Sequence, residues 1–344
     1  MPSAPPVGVV IANYNNGAFV GRAIESVARQ SWRRLHTIIV DDASTDNSDE
    51  EIRKCLERLG DSRFDYVRLD ANVGQTGAIK RGLAQLDTPF VGFLDSDDMW
   101  YENFIERHLC VHMNADFPVA LTYCDSHIID AADHLLAGTA WWFEHGSTAN
   151  KTFESAVVPT VDATTGEFSF LRNGRLTLHP HWTPLSATNS MASMMFRRSF
   201  VDLVLVVPDS DLRLYLDYYL STFAGLLTGS IAIHDALYAY RMHGANKHSN
   251  ASVMGGAYNS STKDWGPISN HILQLVQRVL DEEATSIRAA FGDWRHANSK
   301  ALVKRALDAR SPGSRGAWIR FLDSLSMRAQ TLMSNGRSVL AGRR

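Results

Sequence analysis

The sequence predicts an α/β protein with a Rossmann-like, mostly parallel sheet flanked by helices and a C-terminal helical extension. Short apolar runs rich in β-branched residues alternate with amphipathic stretches over the first 125 residues. Strand and helix alternation at this spacing favours a parallel sheet that is covered on both faces. Apolar positions at helical spacing return after about residue 270. A chain of 344 residues is long enough for both parts.

The first hundred residues contain four apolar runs of strand length, with a helical pattern after each of the first three. The predicted strands are Val7–Ala12, Thr37–Val40, Phe64–Leu69 and Phe90–Leu94. The predicted helices are Phe19–Ala28, Ser48–Leu59 and Thr76–Leu86. Ser48 and Glu51 form a capping-box pattern, and Gly60 is placed to end that helix.

The pattern is looser beyond Asp125. The aromatic-rich segment Leu136–Ser190 predicts long loops and short hairpins. The later elements predicted are a strand at Ser193–Phe196, a helix at Leu212–Leu227, a closing pair of strands at Ser230–His234 and Leu237–Met242, a linker at Gly244–Gly266, and helices on either side of Pro312 and Gly313.

Composition excludes several classes of protein. A net charge of −3 does not favour a nucleic-acid partner. Three cysteines are too few for a disulfide framework, which fits a cytoplasmic protein. The N-terminus has no signal-peptide pattern, and no apolar run approaches the roughly 20 residues that span a bilayer. We therefore expect a soluble or peripherally attached protein.

Acidic residues follow two of the predicted strands. Asp41 and Asp42 end the second strand, and Asp95, Asp97 and Asp98 end the fourth. Ligands of open parallel sheets collect at the carboxyl ends of the strands. One such Asp could as well cap a helix or form a turn. Two clusters on one rim repel each other, however, and favour a divalent cation that in turn holds a diphosphate.

Four segments in this order carry a recognisable set of motifs, and together they cover about 120 residues. They are Val9–Asn15, Ile39–Asp46, Asn72–Gly82 and the Asp-Ser-Asp of Asp95–Asp97. The set resembles the GT-A glycosyltransferases of family 2 and their DxD motif. The family usually has proline where this chain has Ala12.

The resemblance implies a GT-A fold and a transfer that depends on Mn²⁺ or Mg²⁺. In the family, the residue matching Asp42, with or without the one matching Asp41, hydrogen-bonds the pyrimidine base, and the one matching Asp95 lies near the ribose. The implied metal ligands are Asp97 and His243. The donor-binding residues it implies are Ala12, Tyr14, Asp41, Asp42, Asn72, Gln75, Asp95, Ser96 and Arg241.

The implied catalytic base is Asp217, which stands where many members of the family carry a Glu-Asp pair. This chain reads Leu216-Asp217, and Asp209 and Asp211 are nearby alternatives. Such a base removes the proton of the acceptor hydroxyl while its oxygen attacks the anomeric carbon. A single displacement of this kind inverts the anomeric configuration.

The partners expected from the resemblance are a nucleotide diphosphate-sugar, first of all a UDP-sugar, and a saccharide or lipid-linked acceptor in surface polysaccharide synthesis. A single transfer is favoured because neither a QxxRW motif nor membrane spans are present. The implied division is a donor-binding half at 1–125, an acceptor half at 126–250 and a basic helical extension at 251–344. From Trp294 onward the chain has eleven Lys or Arg and only two Asp or Glu. This basic segment would suit contact with the inner face of a membrane, which is anionic. Packing on the catalytic domain or a homodimer contact is the alternative for this segment.

Two other classes remain open. A sugar nucleotidyltransferase would need a glycine-rich basic loop after the first strand, where this chain has Asn13–Gly17 without lysine. A non-catalytic nucleotide-sugar-binding scaffold would be favoured by loss of Asp97 or of the catalytic base. A dinucleotide-binding oxidoreductase is not favoured because no GxGxxG follows the first strand.

Overall fold

The structure is a computed structural model, and it describes residues 4–115, 119–140, 151–154, 158–161, 168–171, 175–182, 190–246 and 265–309. The strands are β1 Val7–Asn13, β2 Leu35–Asp41, β3 Phe64–Arg68, β4 Phe90–Asp95, β5 Met99–Trp100, β6 Leu121–Asp130, β7 Leu135–Ala137, β8 Lys151–Glu154, β9 Val158–Val161, β10 Phe168–Leu171, β11 Arg175–His179, β12 Met194–Arg197 and β13 Ser230–Met242. The helices are α1 Gly17–Ala28, α2 Ser48–Leu59, α3 Gln75–Leu83, α4 Phe104–Asn114, α5 Arg198–Val204, α6 Leu216–Leu227, α7 Trp265–Glu282, α8 Ala284–Phe291 and α9 Asp293–Ala309.

One large sheet has the strand order β3-β2-β1-β4-β12-β6-β13-β11-β8. The strands β3, β2, β1 and β4 are parallel to one another. The short strand β12 lies between β4 and β6 and is antiparallel to both, whereas β13 is parallel to β6. The predicted α/β class, with a mostly parallel sheet flanked by helices, is confirmed.

Strand β1 is apolar throughout because helices cover both of its faces. Val10 packs into the core on the side of α3, while Val9 and Ile11 pack into the core on the side of α1. All three side chains are fully buried. Helix α3 approaches closely at Gly82, where an added Cβ would lie 2.6 Å from Cγ1 of Val10. The first strand is thereby fixed between β2 and β4 in the parallel part of the sheet.

Two local predictions are wrong. The capping box fails because Asn47, not Ser48, is the N-cap of α2, and the Ser48 N–H donates to the Asp46 carboxylate at 3.0 Å. Gly60 does end the helix, in the left-handed conformation with φ of 56°. The predicted closing pair of strands is instead the single strand β13, because its register against β6 shifts between Ile233 and Ala236 and absorbs the two polar residues there.

The predicted helix at Leu212–Leu227 begins only at Leu216, after Tyr215 in the left-handed conformation with φ of 68°. Helix α7, helix α8 and helix α9 confirm a C-terminal helical region, and their apolar faces join the core that contains α6. Among the described helices, none is both long and apolar enough to cross a membrane. Most of the linker Gly244–Gly266 and the helices around Pro312 and Gly313 lie outside the described residues.

Helix α4 and strand β6 were not predicted. In α4, two buried histidines interrupt the apolar pattern. His108 Nδ1 lies 2.7 Å from the Thr122 hydroxyl, and His112 Nε2 lies 3.2 Å from the Met195 carbonyl oxygen. Burial lowers the pKa of His108 well below its usual range and that of His112 to about 3. Both rings are therefore neutral in the folded protein near neutral pH.

These histidines predict a stability that decreases in acid. Below the unfolded-state pKa of about 6.5 the unfolded chain binds protons that the folded chain does not, so the free energy of unfolding falls from about pH 6.5 downward. Each histidine can contribute up to about 1.4 kcal/mol per pH unit. Urea unfolding between pH 7.5 and 4.5 measures the slope, which we expect His112→Gln to reduce. Equal slopes for the parent and the variant would contradict this account.

Candidate active site

The two acidic clusters lie on one edge of the sheet. Strand β1 lies between β2 and β4, and in the parallel register Asn13 is opposite Asp41 while Ala12 is opposite Asp95. Asp41, Asp95 and the residues that follow them therefore leave the sheet side by side. This is the edge at which ligands bind in open α/β sheets.

Asp41 holds the loop that follows β2. Its side chain is fully buried. Oδ1 accepts the Asn13 amide at 2.8 Å and a short hydrogen bond from the Ser44 hydroxyl, and the Arg68 Nε lies 3.6 Å from Oδ2. The carboxylate of Asp41 is thus saturated from inside the protein and is not presented to a ligand in this conformation.

Asp42 joins two loops of the candidate site. Its oxygens accept the N–H groups of Val73 at 2.7 Å and Gly74 at 2.8 Å, and burial raises its pKa. Gly74 has φ of 86°, and an added Cβ there would lie 3.0 Å from the Arg213 carbonyl oxygen. Arg213, which lies outside every motif described above, also donates to the side chain of Asn72 at 2.7 Å.

Four of the predicted donor-binding residues differ in their exposure. Asn72 and Tyr14 are exposed, the latter to 42%, and Ala12 is half-buried. Gln75 is half-buried and its amide donates to Oδ1 of Asp95 at 2.7 Å. Gln75 therefore connects the loop held by Asp42 with the acidic end of β4.

Four carboxylates concentrate negative charge at the end of β4. Burial, followed by the charges of Asp97 and Asp217, raises the pKa of Asp95 to about 7. Burial and the charges of Asp97 and Asp95 raise the pKa of Asp98 well above its usual range. Oδ2 of Asp98 is buried without a hydrogen-bond partner. Asp217 comes from α6 in the second half of the chain, so the fold brings both halves to one acidic centre.

Arg241 and Ser96 are placed inside the protein rather than at a surface. Arg241 is fully buried, its Nε donates to the Asp97 carbonyl at 2.8 Å, and its backbone N–H donates to Oδ1 of Asp98 at 2.9 Å. Ser96 is 1% exposed, and its hydroxyl accepts the Asn16 amide at 3.0 Å. Both side chains support the segment Asp95–Asp98, and neither is presented to a nucleotide-sugar in this conformation.

His243 lies against Asp97, as its predicted role requires. Its Nε2 is 3.1 Å from Oδ2 of Asp97, and its side chain is 8% exposed against 21% for Asp97. Of the residues that the structure describes, no three His, Cys, Asp or Glu side chains are close enough to hold a metal ion by themselves. The partly exposed Asp97, beside the unpartnered oxygen of Asp98, fits a cation that takes its other ligands from a bound diphosphate.

The alternatives to Asp217 as a base are occupied by cations. Asp209 pairs with Lys80 at 2.9 Å and with Arg81, and Asp211 pairs with Arg278 at 2.7 Å. Asp217 lies in the first turn of α6, where Oδ1 accepts the Tyr218 N–H at 2.8 Å. Burial raises the pKa of Asp217 to about 6. Of the three, Asp217 is the carboxylate that combines a raised pKa with a place beside Asp95.

The sheet and the motif loops have the arrangement of a GT-A fold. The sequence model described as "Glycosyl transferase family 2" matches residues 8–112. The chain therefore contains a family 2 glycosyltransferase domain, and the predicted family is confirmed.

Similar proteins agree with this assignment. The chain is 28% identical to the uncharacterized glycosyltransferase alr2836 of Nostoc over 249 residues, which are 72% of this chain and 67% of that protein. It is 35% identical to the putative teichuronic acid biosynthesis glycosyltransferase TuaG of Bacillus subtilis over 105 residues, which are 30% of this chain and 41% of TuaG. The structure of S. aureus TarS 1–349 with UDP-GlcNAc has a TM-score of 0.52 at 15% identity and covers 94% of this chain and 81% of that one. At this identity the last likeness shows the fold alone.

Proposed function

We propose that this protein transfers a sugar from a UDP-sugar to a hydroxyl of a saccharide or lipid-linked acceptor, with inversion, and uses Mn²⁺ or Mg²⁺. The observation that carries the proposal is the acidic centre of Asp95, Asp97, Asp98 and Asp217, whose mutual repulsion a cation and its diphosphate would relieve. The UDP-GlcNAc bound by TarS supports the class of donor, and the likeness to TuaG, a putative teichuronic acid biosynthesis glycosyltransferase, supports a polysaccharide as the product.

On the donor side, the exposed Tyr14 and Asn72 and the half-buried Ala12 form the wall for the pyrimidine base, with Asp42 beneath. Each carboxylate oxygen has two lone pairs, so Asp42 can accept the N3–H of uracil in addition to the N–H groups of Val73 and Gly74. A charge-assisted bond of this kind contributes about 1.5–3 kcal/mol. We assign Asp41, Ser96 and Arg241 to support of the loops, and Asp95 to the ribose side.

Asp97 and His243 are the residues that would hold the metal. A bound Mn²⁺ or Mg²⁺ would neutralise the charge that develops on the leaving diphosphate. Arg241 keeps Asp97 in place through the carbonyl oxygen of that residue, and His243 orients its carboxylate through the 3.1 Å contact. The sequence Arg241–His243 at the end of β13 therefore acts on the metal ligand from two directions.

Asp217 is the proposed general base. With a pKa of about 6 it is ionised near neutral pH yet close enough to that pH to accept a proton efficiently. It takes the proton of the acceptor hydroxyl while the acceptor oxygen bonds to the anomeric carbon. The bond from that carbon to the diphosphate breaks on the opposite face, and the electron pair leaves with the nucleotide. No covalent sugar–enzyme intermediate is required.

The donor proposal is tested by thermal unfolding with UDP, dTDP, GDP and ADP, each with and without Mn²⁺. A nucleotide that binds the folded chain at a hundredfold excess over Kd stabilises it by about 2.7 kcal/mol. We expect the largest rise in Tm with UDP and Mn²⁺, and a smaller one with UDP and a chelator. Uridine serves as the control for the base alone. The donor proposal fails if no nucleoside diphosphate raises Tm, and the metal proposal fails if Mn²⁺ has no influence on the rise.

A further inference from the structure

A cavity of about 710 Å³ lies at the end of the sheet opposite the candidate active site. Ala120, just before β6, and Thr228, just before β13, mark the amino-terminal ends of these parallel strands. Arg197 lines the cavity and pairs with Phe90 at the start of β4, whereas Asp95 ends that strand. Five residue steps at 3.3 Å separate the two ends by about 17 Å. The cavity is therefore distinct from the donor site.

The walls of the cavity are mainly apolar. They lie between the sheet, α5, α6 and the junction of α8 with α9. The apolar lining includes Leu178, Pro180, Phe200, Leu203, Leu227 and Phe291. A volume of this size is ordinary for small-molecule sites, and walls of this kind suit a hydrocarbon body.

Two arginines give the cavity a positive charge that no carboxylate of its described lining neutralises. No Asp or Glu is among the described lining residues. Arg197 donates from Nε to the Val119 carbonyl at 3.0 Å and from Nη2 to the His112 carbonyl at 2.8 Å, and both of these partners are neutral. Arg295 makes no ion pair with a described residue.

The acidic side chains next to these arginines in sequence are engaged elsewhere. Asp293 lies 3.7 Å from Arg288, and Asp202 accepts Nε of Arg198 at 2.7 Å. Burial, together with the charge of Arg295, lowers the pKa of His181 in the lining, which keeps that ring neutral. The charge in the cavity is thus that of Arg197 and Arg295, and it complements an anion.

The rim of the cavity carries an exposed aromatic residue. Trp294 directly precedes Arg295, its ring centre is 5.6 Å from that guanidinium, and the residue is 68% exposed. A tryptophan beside an arginine on a surface suits the interface between a membrane and water, where the indole contacts both apolar and polar groups. This feature indicates that the occupant comes from a membrane surface.

We propose that this cavity binds an acidic phospholipid, with the phosphate between Arg197 and Arg295 and an acyl chain along the apolar walls. The lipid would attach the end of the sheet opposite the donor site to the membrane and leave the donor-binding edge free. The proposal does not depend on the identity of the donor or on Asp217.

The test is co-sedimentation of the full chain with phosphatidylcholine vesicles, with and without about one fifth phosphatidic acid. We expect binding only with the acidic lipid. Arg295→Gln, and Leu203→Trp, which fills the cavity without a change of charge, should each lower the partition coefficient about tenfold. Arg305→Gln is the matched control: it has the same charge change on the same helix, about 15 Å further along. It should lower the partition coefficient by no more than about fivefold, the loss expected for one surface charge.

Several outcomes would overturn the proposal. Equal losses in Arg295→Gln and Arg305→Gln, with none in Leu203→Trp, would indicate general attraction of a basic surface to the vesicles. Equal binding to neutral vesicles would remove the role of the arginines. Binding of dodecyl phosphate in solution without binding to vesicles would indicate a soluble ligand. If Leu203→Trp instead converts a dimer to a monomer in light scattering, the cavity belongs to an interface between copies. Melting temperatures of all variants establish that each is folded.

Discussion

Replacement of Asp217 by asparagine is expected to lower kcat by about 10²–10⁴-fold while donor binding is unchanged. Asparagine has nearly the same shape but cannot accept the proton of the acceptor hydroxyl. Asp217 lies beside Asp95 at the acidic centre and forms no ion pair with a described residue. The substitution therefore breaks no described ion pair. Initial rates with a UDP-sugar, and the rise of Tm on addition of UDP and Mn²⁺, measure the two properties separately.

The pH profile gives an independent test of the same residue. Because burial raises the pKa of Asp217 to about 6, the base is protonated and inactive below that pH, and kcat should rise through about pH 6 and level off above it. Asp209→Asn is the matched control, since Asp209 pairs with Lys80 and Arg81 and should affect stability rather than kcat. Full turnover by Asp217→Asn, or an equal loss in Asp209→Asn, would assign the base to another residue.

The second large effect is expected for Asp97→Asn. This change removes the partly exposed carboxylate that faces His243 and would hold the metal on the diphosphate. The loss should exceed the factor of about 10–100 that changes next to metal ligands typically produce in metal affinity. Titration calorimetry of Mn²⁺ in the presence of UDP measures it. Binding of UDP without metal should change little, because we propose that the base is bound by Asp42 and Asn72 instead.

Asp235→Asn is the control for the metal experiment. It also removes one carboxylate, from within β13, but Asp235 pairs with Arg107 rather than with a residue of the acidic centre. Its affinity for Mn²⁺ in the presence of UDP should equal that of the parent. If Asp97→Asn behaves like this control, Asp97 is not a metal ligand and the acidic centre serves another purpose.

The sequence predicted best those elements whose residue pattern is compatible with only one local structure. Strand β1 is a continuous apolar run because it is buried on both faces, and Gly60 ends α2 because glycine adopts a positive φ without strain. Helix α4 was missed because His108 and His112 count as polar although both are buried and hydrogen-bonded to partners from distant parts of the chain. Burial of a polar residue depends on contacts that no local pattern contains.

The candidate site, too, was predictable in one respect and not in another. Its position at the ends of β2 and β4 could be predicted, because strand ends and acidic residues are both visible in sequence. Which acidic residues face a ligand could not. Asp41 and Asp42 are neighbours, yet the first is saturated by Asn13 and Ser44 and the second holds another loop. The direction of a side chain depends on the turn that carries it and on distant donors.

The antiparallel strand β12 has a consequence for how the chain folds during synthesis. It pairs with β4 through residues 195–197, about a hundred positions downstream of that strand. Until those residues leave the ribosome, β4 is an open edge on a finished four-stranded layer, and unpaired edges of this kind favour aggregation. We therefore expect the segment 8–112 to be poorly soluble when expressed alone, although it contains every strand of the matched family region. The four parallel strands therefore depend on the second half of the chain to cover their last edge.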